Sequence, residues 1–124
     1  MIQISDELKQ EIYDSAKNLW FSALFDHISG YIPEISFEDQ KTLFFQLTKD
    51  ALDDGLIKFD VPYIEGVPFE RRVWEAPTEE IIQYLKDSFP KEATDGLDDD
   101  VNLYFYISAP PVMWRQDDGS YYGS

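Results

Sequence analysis

The spacing of apolar residues changes near Gly55. Before it they recur every three or four positions, as on helices with one buried face; after it they mostly alternate, as on strands. Ser5 suits an N-cap, with Asp6 and Glu7 in the first turn where the helix dipole favours acids. Leu8, Ile12, Ala16 and Leu19 then form one stripe, with Tyr13 and Trp20 at its edge. A short second helix is expected from Phe21 to Ile28, stopping at Ser29-Gly30, with Tyr31-Ile32-Pro33 as connector. Ser36 caps a third helix, and Asp39 stands where a capping box places Glu or Gln. Leu43, Phe44, Leu47, Thr48, Ala51 and Leu52 make its broad apolar face, and Gly55 supplies the stop.

In the second half, Leu56 to Val61 and Phe69 to Trp74 read as an antiparallel pair of strands, joined through Pro62, Gly66 and Pro68. Thr78 is the expected cap of a fourth helix, with Glu79 and Glu80 in its first turn. Ile81, Ile82, Leu85 and Phe89 form its buried side before Pro90 ends it. Glu92 to Asp100 reads as an acidic loop. Val101 to Ile107 alternates as a strand, with Val101, Leu103, Phe105 and Ile107 on one face and Asn102, Tyr104 and Tyr106 on the other. Val112 to Gln116 is a last strand, turning at Asp117-Asp118-Gly119 into Ser120-Tyr121-Tyr122. The fold expected is α+β: N-terminal helices packed on a small, mainly antiparallel β-sheet, with no internal repeat.

Composition narrows the function. The 124 residues suit one domain, 1–124. The formal charge of −15 raises the question of disorder, but Leu, Ile, Val and Phe supply 35 residues, enough for a core. A free-standing nucleic-acid binder needs a basic surface, so direct nucleic-acid partners are not expected. No apolar run approaches the ~18–20 residues of a membrane span, and Met1 to Glu7 does not read as a signal peptide, so no membrane partner is expected. Zero cysteines exclude disulfides and thiolate chemistry. The compartment expected is the cytoplasm.

Catalytic ingredients are sparse. His27, the single histidine, lies in an apolar helix and reads as a packing or surface residue. No HExxH, GxSxG or phosphate-loop pattern occurs, and the six glycines are scattered beside turns. Asp95 to Asp100 faintly resembles a calcium loop, yet its ligand spacing is wrong. No catalytic residue, metal ligand or cofactor is assigned.

Charge placement carries more. Between Glu92 and Asp118 stand seven acids and one base, Arg115. A basic partner would relieve that self-repulsion. Tyr104, Tyr106, Trp114, Tyr121 and Tyr122 interleave with the acids. Two readings stay open: these rings are core, or they form an exposed platform rimmed with Asp, as at an interface hot spot. If the two strands joined through Pro110-Pro111 are neighbours, Asp98, Asp99 and Asp100 fall at the same sheet end as Asp117 and Asp118. The candidate partner-binding set is therefore Asp98, Asp99, Asp100, Tyr104, Tyr106, Trp114, Asp117 and Asp118. Asp50, Asp53 and Asp54, at the unfavourable C-terminal end of the third helix, are the competing acidic site, with Lys49 and Lys58 nearby to compensate.

Four segments carry a resemblance: Ile4 through Ile12, Leu19-Trp20-Phe21-Ser22-Ala23-Leu24, Leu52 through Phe59, and Ser108 through Trp114. Together they resemble a bacterial domain-of-unknown-function family of small acidic proteins, associated with immunity genes of contact-dependent inhibition and polymorphic-toxin systems. The resemblance implies a non-enzymatic immunity protein that binds and silences a cognate toxin. An acidic inhibitor suits a toxin with a basic surface, such as a nuclease. A regulatory or adaptor module is the alternative, and a small carboxylate-dependent hydrolase stands behind both. A homo-oligomer is compatible with the sequence but is not predicted.

Overall fold

The computed structural model describes residues 3–62, 65–68 and 72–123. Three helices come first: α1 (Asp6–Ala16), α2 (Phe21–Tyr31) and α3 (Phe37–Asp53). Ser5 and Ser36 cap α1 and α3 through their hydroxyls, which accept from the amides of Leu8 and Asp39. α2 runs past Gly30 to Tyr31, beyond the expected stop. α1 ends at Ala16, so Leu19 belongs to the corner before α2 and not to the helical stripe. At the end of α3, Gly55 adopts a left-handed φ of 71°. The amide of Leu56 then returns to the carbonyl of Ala51, and that of Gly55 to Leu52, closing the helix as glycine permits.

Strand β1 (Ile57–Phe59) pairs antiparallel with β2 (Val112–Arg115), which pairs antiparallel with β3 (Tyr121–Tyr122). Trp114 faces Ile57 on one side and Tyr122 on the other. Of the expected strand Phe69 to Trp74, Phe69, Glu70 and Arg71 lie outside the described residues, and Val73 forms an antiparallel bridge with Asp60. α4 (Thr78–Ser88) follows. Pro77, not Thr78, is its cap, and Thr78 instead bonds the Asp53 carboxylate at the end of α3.

The largest departure is in 99–108. The alternation read as a strand is helical: α5 (Asp99–Leu103) runs directly into a π-helix (Tyr104–Ser108). Val101, Tyr104 and Phe105 turn inward while Asn102, Leu103, Tyr106 and Ile107 face out, a helical spacing and not an alternating one. Asp98 nucleates it, its carboxylate accepting from the amide of Asp100. Sequence alternation misled because aromatic and β-branched residues favour strands and Leu103 and Ile107 happen to be apolar.

The core is aromatic. Phe44 and Phe105 contact each other and both Phe21 and Phe25, with ring centroids 4.9 to 5.7 Å apart, and Phe21 reaches Phe59 of β1 at 5.0 Å. That contact packs the helices on the sheet. Polar groups drawn inside find partners: Gln40 donates to the Phe25 carbonyl and Thr48 to that of Phe44.

Candidate partner-binding surface

Structure divides the aromatic set that the sequence left open. Tyr104 and Trp114 are core, 2% and 1% exposed, and cannot serve as exposed anchors. The Tyr104 hydroxyl donates at 2.9 Å to the carbonyl of Leu85, in the last turn of α4, where helix carbonyls lack partners of their own. Burial pushes that phenol far above its ordinary pKa, with a smaller contribution from Tyr84. Trp114 donates its indole N–H to the carbonyl of Leu19. Tyr106 is the exposed member, at 65%, and Tyr122 is also exposed.

Trp20, which the periodicity placed at the edge of a buried stripe, is the exposed partner of Tyr106. The α1–α2 corner puts it there. Asn18 takes a left-handed φ of 67°, which Asn tolerates better than most residues, and Trp20 is extended at the start of α2. The chain therefore turns sharply and presents Leu19 and Trp20 outward, Trp20 54% exposed. Its ring meets that of Tyr106 edge-on at 5.4 Å.

On the other side, the π-helix closes with the Ala109 amide on the Tyr104 carbonyl, one residue wider than an α-turn. That extra residue lets Tyr104 and Phe105 both point inward while Tyr106 and Ile107 stay outside. Between the two sides lies a cavity of about 220 Å³, walled by Trp20, Phe21, Phe105, Tyr106 and the Ala109-Pro110-Pro111-Val112 run. Leu19, Leu103 and Ile107, in the same two segments of chain, are exposed apolar residues as well. Tyr106 stood in the candidate set read from the sequence, whereas Trp20 did not, because its apolar run from Leu19 to Leu24 blurs the helical period.

The acids are not gathered at one end of the sheet, because the strand expected to carry Asp98, Asp99 and Asp100 there is a helix. Those three instead open α5, two turns before Tyr106, with Asp99 and Asp100 exposed. Asp117 and Asp118 sit on the β2–β3 turn, where Asp118 accepts from the amide and hydroxyl of Ser120, bonds that lower its pKa. They follow Gln116, whose amide donates to Asn18 at 2.8 Å, so this turn abuts the corner that presents Trp20. Two of the three competing acids at the end of α3 are locally matched: Asp50 with Lys9 at 2.8 Å and Asp53 with Lys49 at 2.9 Å. Lys58 leans instead over the ring of Tyr121.

His27 bonds the Ala23 carbonyl of its own helix. Asp95 and Asp98 accept from the amides of Leu97 and Asp100, local turn and cap bonds. Among the described residues, no three His, Asp or Glu side chains converge as a metal site, and no helix is long and apolar enough to cross a membrane.

Residues 52–124, more than half of the chain, match a family described as a protein of unknown function, DUF596. The chain belongs to the DUF596 family. Its fold is similar to a solved structure, an uncharacterized protein conserved in bacteria from Neisseria meningitidis, at 21% identity and a TM-score of 0.71 over 94% of this chain and 86% of that chain. No curated protein matches. The DUF596 match takes in the π-helix, Tyr106 and the Pro110-Pro111 wall, while Trp20 lies before it. The surface is thus assembled from both sides of the match boundary.

Proposed function

We propose that this DUF596 protein is an immunity protein: a non-enzymatic, cytoplasmic inhibitor that binds a cognate bacterial toxin with a basic surface. The observation that carries the reading is the exposed Trp20–Tyr106 pair beside a 220 Å³ cavity. Large rings held by a rigid frame next to a recess are what interface anchors look like. The charge of −15 supports the partner's sign, because complementary fields steer encounter and a basic nuclease offers the matching surface. The resemblance of the four segments to toxin-associated acidic proteins points the same way.

The test is co-expression with candidate toxin domains drawn from genes neighbouring that of this protein, followed by size-exclusion chromatography of each pair. Rescue of growth and a 1:1 complex are expected, with Trp20→Ala weakening the complex while its circular-dichroism spectrum stays that of the parent. Growth arrest in the presence of the intact protein, with no complex, would overturn the reading.

A further inference from the structure

Although the chain carries only ten lysines and arginines, four of them line one groove between α3 and α4: Lys41, Lys49, Lys86 and Lys91. The groove is distinct from the Trp20–Tyr106 surface and has a volume of about 400 Å³, within the ~300–1,000 Å³ of small-molecule sites. Its floor includes Phe45 and Phe89. The ammonium of Lys41 lies 5.8 Å from the ring of Phe89 and that of Lys86 lies 6.0 Å from Phe45, so the positive heads gather around an apolar base. Lys41 and Lys49 are held by local carboxylates, Glu38 at 3.3 Å and Asp53 at 2.9 Å. Lys86 and Lys91 form no ion pair among the described residues.

We propose that this groove binds a small organic phosphate, with Lys86 and Lys91 on the phosphate and the ligand's uncharged body over Phe45 and Phe89. Lysine is a flexible point charge suited to phosphate. The size of the anion follows from the rest of the molecule. Beyond a screening length of about 8–10 Å at ordinary salt, four local charges no longer decide the field, and the net −15 repels an extended acidic chain. A compact phosphate stays within reach of the lysines.

The experiment is a two-dimensional NMR titration of the full chain with AMP, adenosine, inorganic phosphate and a hexaglutamate peptide, in parallel with a Lys86→Gln/Lys91→Gln variant. Saturable shifts with AMP at amides of 41–49 and 82–91 are expected, with weaker binding of phosphate and none of adenosine. The double variant should bind AMP about tenfold or more weakly, the loss of at least one charge-assisted bond, while its spectrum elsewhere is unchanged. Adenosine binding as well as AMP, hexaglutamate binding more tightly than AMP, AMP shifts outside the groove, or an unaffected double variant would each overturn the proposal. So would the absence of any saturable shift with AMP.

Discussion

The indole N–H of Trp114 donates to the backbone carbonyl of Leu19 at 3.2 Å, tying the central strand to the α1–α2 corner across 95 residues of sequence. The neighbouring bond from Gln116 to Asn18 reinforces the same junction. Trp114 therefore supports the candidate surface from beneath, by fixing the corner that presents Trp20. Trp114→Phe keeps a ring but leaves the carbonyl without its donor, and should cost about 1–3 kcal/mol. Trp114→Ala also opens a cavity and should cost about 3–5 kcal/mol. Urea denaturation of the two variants checks both figures; a Trp114→Ala protein as stable as the parent would contradict the central placement of this ring.

Local chemistry made much of the fold legible. Ser5, Ser36 and Gly55 each perform the capping role their residue type predicts, and the stripe Leu43, Phe44, Leu47, Thr48 and Ala51 is buried as its spacing requires. What failed was the choice between periods in a short apolar run. From Val101 to Ile107 both patterns are present, and the deciding feature was the acid at 98, read as part of a loop when it was a cap. The site was hidden for a related reason. Trp20 looks like the edge of a buried stripe in sequence and Tyr106 could be read as core or as exposed; the left-handed Asn18 and the extra residue of the π-turn aim both outward. The acids were easier to find than to place, since charge runs mark exposure but not which elements meet.

The two buried phenols predict an alkaline limit to stability. Tyr13 donates to the Leu47 carbonyl and Tyr104 to that of Leu85, and burial raises both pKa values, with the charges of Asp50 and Asp54 raising Tyr13 further. The unfolded chain releases these protons near an ordinary pKa of about 10, whereas the folded chain keeps them. Stability is thus intact below about pH 10 and falls as pH rises beyond it, by up to about 1.4 kcal/mol per unit for each phenol. Denaturation measured between neutral and strongly alkaline pH should show a shallower decline for Tyr104→Phe than for the parent. At neutral pH that variant should lose about 1–2 kcal/mol through its unpaired Leu85 carbonyl. Equal alkaline slopes would contradict this assignment.

Gly55 supplies a backbone test of the α3–β1 junction. At a φ of 71°, any L side chain is strained, although a Cβ there would meet nothing closer than 3.5 Å. The cost is therefore conformational and not steric. Gly55→Ala should destabilise by about 1–2 kcal/mol, and Gly55→Asn by less, because Asn visits this region more readily. Thermal melts in which Ala and Asn are equally harmless would argue against the left-handed turn.

Partner binding should separate kinetically into anchors and steering charges. Trp20 and Tyr106 contribute little to folding, an edge-on pair being worth about 0.5–1.5 kcal/mol, yet a central anchor typically carries about 2 kcal/mol or more of binding. Trp20→Ala should therefore weaken the proposed toxin complex about thirtyfold, chiefly through faster dissociation. Asp99→Asn with Asp100→Asn, at the exposed start of α5, should slow association and leave dissociation nearly unchanged, because rim charges act on encounter. Raising salt from low to physiological levels should reproduce that second effect in the parent protein. Neutralising Asp50 and Asp53 is the control: both sit in ion pairs and neither lines the Trp20–Tyr106 cavity, so their loss should leave the kinetics of the complex alone. Surface-plasmon-resonance rates for the three variants decide it. If the α3 changes abolish binding while Trp20→Ala and the Asp99/Asp100 changes leave both rates untouched, the toxin engages the third helix and not the Trp20–Tyr106 face.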